Sequence, residues 1–147
     1  MLAAQIIILS IFILAIFYAV KFLQKKKVKI IEPVPPLLKT ILQDQVPFYQ
    51  LLNESRRTEF EKRATHFLTQ VKITGVKTVV EDLDRILIAA SAIIPIFNFS
   101  DWEYPNLNEV LLYPDSFDHE YEQQGEGRNI MGMVGSGAMN HVMILSQ

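Results

Sequence analysis

Apolar and polar positions divide the chain into segments of different period. IIILSIFILAIFYAV at 6–20 carries no charge, and extending it to 2–20 admits only Gln5 and Ser10 as clearly polar residues. As helix those residues reach about 28 Å, against about 30 Å of bilayer hydrocarbon. Eleven of the fifteen residues at 6–20 are Ile, Leu, Phe or Val, so insertion would gain on the order of 4 to 5 kcal/mol. The pattern predicts a membrane-spanning helix within residues 1–24. EPVPP at 32–36 cannot continue a helix, because each proline lacks a donor and restricts the residue before it. Residues 25–37 are therefore a basic segment and a stiff spacer ahead of a second module at 38–147. There Phe60, Ala64, Phe67, Leu68 and Val71 recur at helical spacing, with Asn53 or Ser55 as N-cap and Gly75 beyond the end. A second helix starts at the cap Asp82, carries Leu83, Ile86, Leu87, Ala90 and Ile94, and stops at Pro95. Its stretch 86–94 is nearly apolar all round, which places it in the middle of a core. EVLLY at 109–113 and HVMIL at 141–145 are β-prone. Glycines at 125, 127, 132, 135 and 137 mark turns between them.

Length and charge sharpen that outline. The chain has 147 residues, of which 50% are hydrophobic, and its mean hydropathy is +0.19; that is one domain plus an apolar excess. A cleaved signal peptide would need basic charge before the run and a small-residue site after it, and neither is present. The basic residues follow instead, at Lys21, Lys25, Lys26, Lys27 and Lys29. By the positive-inside rule this predicts a single-pass protein of the cell membrane, N-terminus outside and the module at 38–147 cytoplasmic. The absence of cysteine suits a reducing compartment. The lysines would also contact membrane lipid, at about 1 kcal/mol each for an anionic surface. From residue 33 onward the chain holds nine basic and fifteen acidic residues, which argues against nucleic acid as a partner.

Candidate chemistry is sparse. DHEYEQQ at 118–124 opens like the zinc-peptidase pattern H-E-x-x-H, but Gln123 stands where the second imidazole belongs. The motif works because two imidazoles four apart share one helical face, with the Glu between them as general base; an amide is a poor zinc ligand. The acidic loop at 115–126 lacks the alternating ligands and central Gly of a calcium loop. GMVGSG at 132–137 lacks the Lys-Ser/Thr of a phosphate loop. His66, on the first amphipathic helix, and His141, opening the last strand, have no partner nearby in sequence. Ser91 lies in the apolar helix, and Ser136 lacks a nucleophile-elbow context. Taken alone, these residues name no catalyst and no metal ligand.

Four stretches together resemble the titration factor A family of zinc-dependent metallopeptidases, whose catalytic domain is related to that of anthrax lethal factor. They are FEKRATHFL at 60–68, RILIAASAIIPIF at 85–97, EVLLYPDSF at 109–117 and GMVGSGAMNHVMILSQ at 132–147. Roughly residues 48–147 are covered. The resemblance implies an α+β fold, here an N-terminal transmembrane helix followed by part of a zincin-like metallopeptidase domain. It also implies zinc as cofactor of the full-length family and hydrolysis of peptide or protein substrates by zinc-activated water with a Glu as base. In that family the zinc helix follows the last strand, so no residue here inherits a ligand or general-base role, and no zinc is expected on this chain. The apolar run before the module departs from soluble members.

Two functions follow as expectations. One is a membrane-anchored zinc-peptidase relative, inactive as written. Its strand at His141, Val142, Met143, Ile144 and Leu145 would form the edge of a substrate groove by strand addition, with an interior core strand as the alternative. The other is a small bitopic membrane protein acting as a cytoplasmic binding or scaffold module.

Overall fold

The chain divides into two compact units, 1–30 and 31–147. The computed structural model describes residues 34–125 and 127–147, all in the second unit. The expected span, the lysines from Lys21 to Lys29 and most of the spacer lie outside the described residues.

Four helices come first or between strands: α1 (Leu38–Gln45), α2 (Pro47–Gln50), α3 (Glu54–Gln70) and α4 (Asp82–Ile93). Pro47 at the first turn of α2 explains the break from α1, since its missing N–H would have had no intrahelical partner there. Asn53 caps α3, its side-chain oxygen accepting from the Arg56 N–H at 3.0 Å. The cap of α4 is Glu81 rather than Asp82. Its carboxylate takes the N–H of Asp84, and the Asp84 carboxylate takes the Glu81 N–H at 2.9 Å, a reciprocal box. Pro95 then diverts the chain into a 3₁₀ turn at Ile94–Ile96.

A four-stranded sheet packs on this helical layer: β1 (Lys72–Gly75), β2 (Glu109–Tyr113), β3 (Gly132–Val134) and β4 (Val142–Ser146), in the order β1-β2-β4-β3. β1, β2 and β4 are parallel and β3 runs antiparallel to β4. Because side chains alternate along a strand, the sheet has two lined faces. Ile73, Val110, Leu112, Met143 and Leu145 pack with the helices, whereas Leu111, Tyr113, Val142 and Ile144 form a second cluster closed by Phe117, Tyr121 and Met133. Under the helices, Phe60 lies 5.3 Å from Phe97, 5.8 Å from Tyr49 and 5.9 Å from Phe48, ring centre to ring centre. Cover on that face thins across the sheet. Val110 and Leu112 of β2 are 1% and 3% exposed, Met143 and Leu145 of β4 are half-buried, and Val134 of β3 is 70% exposed.

The expected fold class, α+β with an N-terminal transmembrane helix, does not describe this module. The module is a mixed α/β layer structure, and among the described residues no helix is long and apolar enough to cross a membrane. A span needs about 20 apolar residues. The apolar helix α4 has 12, and the longer α3 carries Glu54, Arg56, Arg57, Glu59, Glu61, Lys62 and Arg63 along its length. Among the described residues nothing supports the transmembrane helix, the single-pass placement with the N-terminus outside, or the bitopic form of the scaffold alternative, and none of them is carried further.

Candidate functional site

DHEYEQQ lies in a turn, not on a helix. The Asp118 carboxylate accepts the N–H groups of Glu120 and Glu122 at 2.8 and 2.9 Å, and Tyr121 takes a left-handed φ of 65°. His119 and Gln123 therefore share no helical face, and the zinc-like spacing has no geometric meaning here. The other histidines are equally dispersed. His66, exposed on α3, lies 3.6 Å from Glu103. His141 precedes β4; its Nδ1 donates to the Asn106 carbonyl at 2.9 Å, and its own carbonyl accepts from Asn108 N–H at the entry to β2. A carbonyl only accepts, so that contact fixes the Nδ1–H tautomer and makes His141 a clamp between two strands.

Of the two places open to the strand beginning at His141, groove edge or interior, the pairing gives the interior one. β4 is paired along both sides, to β2 through Glu109↔Val142 to Tyr113↔Ser146 and to β3 through Gly132↔Leu145 to Val134↔Met143. Val142, Met143, Ile144 and Leu145 are interior to the sheet, and the outer strand beside them is β3. Its hydrogen bonds have a definite parity. The Met131 carbonyl accepts from Ser146 and the Gly135 N–H donates to Val142, each at 2.9 Å, so residues 131, 133 and 135 bond to β4. Gly132 and Val134 sit in the non-bonded pairs and turn their N–H and C=O to the open edge. Met131 and Val134 beside them are 71% and 70% exposed.

β3 escaped sequence reasoning because three residues containing a glycine carry almost no β signal. The usable signal was the flanking pair Gly132 and Gly135 around Met133-Val134. A Cβ on Gly135 would lie 2.1 Å from the Met139 carbonyl oxygen, so only glycine lets the chain turn this tightly into β4.

A separate polar groove of about 510 Å³ lies between α1, α2 and α3, lined by Lys39, Tyr49, Leu52, Glu54, Arg57, Thr58 and Glu61. Tyr49 donates to Glu61 at 2.6 Å, and Lys39 pairs with the other oxygen of the same carboxylate at 2.9 Å. Burial, then that hydrogen bond, pushes the Tyr49 hydroxyl up to about 12. The Lys39–Glu61 pair, the Tyr49 hydrogen bond and Arg57, which donates to the Gln50 carbonyl at 2.6 Å, tie α1 and α2 to α3.

The model of the glucose-regulated metallopeptidase M90 family matches residues 20–147. The chain belongs to the M90 family. It is also 36% identical over 86 residues to an uncharacterized protein of Synechocystis sp., an alignment spanning 58% of this chain and 31% of that relative. The chain thus matches about a third of the length of its curated relative. The M90 family is one of metallopeptidases, which implies zinc in its members. The residues described here do not fit that ion: among them no group of three or more His, Cys, Asp or Glu could hold a metal, and the three histidines point to a clamp, a turn and a surface pair. No metal-dependent step is assigned to these residues.

Proposed function

We propose that this M90 chain supplies the substrate-positioning sheet of a zinc-dependent peptidase of the titration factor A kind, holding an extended peptide along the outer edge of β3. The groove role expected for the strand beginning at His141 passes to β3, and β4 supports it from the inside. The observation that carries this proposal is the pair Gly132 and Val134, whose main-chain polar groups face the open edge beside exposed apolar side chains. An exposed strand edge of that composition invites pairing with another chain, and a peptide can be taken up there through alternate main-chain hydrogen bonds. The lethal-factor relation and zinc-dependent cleavage are inherited only through the family resemblance. The described residues contribute binding and not bond-breaking, and nucleic acid is not a partner on this reading.

A pair of peptides tests it. A β-prone apolar peptide is expected to bind the chain, and the same peptide N-methylated at alternate residues on its pairing edge should bind at least about tenfold more weakly, since each missing main-chain bond is worth about 1 kcal/mol. Metal analysis on the same protein should be unaffected by His119→Ala. Equal binding of both peptides would remove strand addition from the account, and stoichiometric zinc lost with His119 would restore DHEYEQQ as a site.

A further inference from the structure

The open edge of β3 ends against an acidic hairpin. Phe117 and Ile130 exchange both main-chain hydrogen bonds at 3.0 Å, two residues before Gly132. That bridge fixes the base of the loop at one end of the edge. The loop carries Asp115, Asp118, Glu120, Glu122 and, by sequence, Glu126, against the single cation Arg128. Arg128 is already engaged, donating to the carbonyls of Gln123 at 2.7 Å and Gly125 at 3.0 Å and lying 3.5 Å from Asp115. Asp118 is spent on two backbone N–H groups. Glu120 and Glu122 are exposed, and among the described residues they form no ion pair.

Resting on the edge-binding proposal above, we infer that the segment taken up on β3 is a basic one. Apolar residues lie along Gly132 and Val134, and Lys or Arg stands at the end that abuts the hairpin. Both parts of the surface contribute. The strand edge recognises any extended main chain, whereas uncompensated carboxylates at one end favour a cation there and repel an acidic one. Charge complementarity of this sort governs selection among partners and encounter rate more than total affinity. The occupant is thus an unfolded, cationic protein segment, in contrast to an acidic peptide or a second copy of this chain, whose own β3 edge ends in the same carboxylates.

Three fluorescent peptides that share an apolar β-prone stretch and end in Lys-Lys, Gln-Gln or Glu-Glu are titrated with the 147-residue chain, at low and at high salt. At low salt the Lys peptide should bind about tenfold more tightly than the Glu peptide, and high salt should erase most of that gap. Glu120→Gln combined with Glu122→Gln should narrow it while leaving the Gln-Gln peptide unchanged. Val134→Pro removes the outward donor without touching the β3–β4 ladder, a placement that edge strands tolerate, and should weaken all three peptides together. Near-ultraviolet dichroism of Trp102 checks the fold of each variant. Should Val134→Pro fail that check, the N-methylated form of the Lys peptide deletes the same bond from the other partner. Loss of binding in Val134→Pro with no difference between Lys and Glu peptides would overturn the basic preference and leave edge binding standing. Unchanged binding in Val134→Pro, or no binding of any peptide to the parent chain, would overturn both.

Discussion

Phe60→Ala should lower the stability of the chain by about 3–5 kcal/mol, the range for truncating a fully buried aromatic side chain. Phe60 has no exposed surface, and its ring meets Phe48, Tyr49 and Phe97 at centroid distances of 5.9, 5.8 and 5.3 Å. Each such pair contributes about 0.5–1.5 kcal/mol beyond its buried area, and the surrounding rings belong to two separate segments, α2 and the end of the 3₁₀ turn, that cannot both close on the void. The measurement is a chemical denaturation curve. Its midpoint should fall sharply, with Tm lower by more than about 10 °C for a domain of this size. A loss below about 1 kcal/mol would mean that these rings do not form the centre of the helical layer.

Gly135→Ala is the second large effect, and it links packing to binding. The added carbon would lie 2.1 Å from the Met139 oxygen and 2.8 Å from its Cβ. Backbone, not a flexible side-chain tip, must therefore give way. Overpacking of this kind costs about 1–3 kcal/mol, and here the strain falls on the connection that sets β3 against β4. Peptide binding is expected to drop along with stability. Gly132→Ala serves as the comparison, because its Cβ would meet the flexible end of Leu145 at 3.2 Å and the Ile144 oxygen at an ordinary 3.7 Å. Equal tolerance of the two substitutions, in stability and in binding, would show that the turn does not control the edge.

Two of the four helices, α3 and α4, were legible because their signals are local, whereas the short α1 and α2 on either side of Val46 were not assigned. Asn53, the spacing from Phe60 to Leu68, and the Pro95 stop are read within one or two turns of chain, and each lies where periodicity put it. Two of the four strands were legible for the same reason, EVLLY directly and HVMIL displaced by one residue to Val142–Ser146. β1, KITG, and β3, GMV, are short, glycine-containing and held by partners distant in sequence. Nothing in their own residues announces pairing. The order of strands is a long-range property as well: it decides between the edge and interior places open to β4 in favour of the interior, and makes β3 the edge. DHEYEQQ shows the opposite error: its letters imitate a zinc helix, but Asp118 captures the backbone of 120 and 122 and closes a turn. The apolar run at 2–20 lies outside the described residues, and the helices that are described are too short or too charged to cross a membrane.

Amide hydrogen exchange at β3, with and without bound peptide, tests the central claim most directly. In the free chain the Met133 N–H, paired to Ile144 within the sheet, should exchange slowly, and the Val134 N–H, facing the open edge, should exchange fast. Adding a Lys-ended β-prone peptide should slow Val134 by at least about tenfold, as expected when a solvent-exposed donor enters a ladder, with Met133 little changed. Protection that appears elsewhere, for instance along Lys39, Arg57 and Glu61, while Val134 stays fast would contradict the assignment of β3 as the peptide-binding edge.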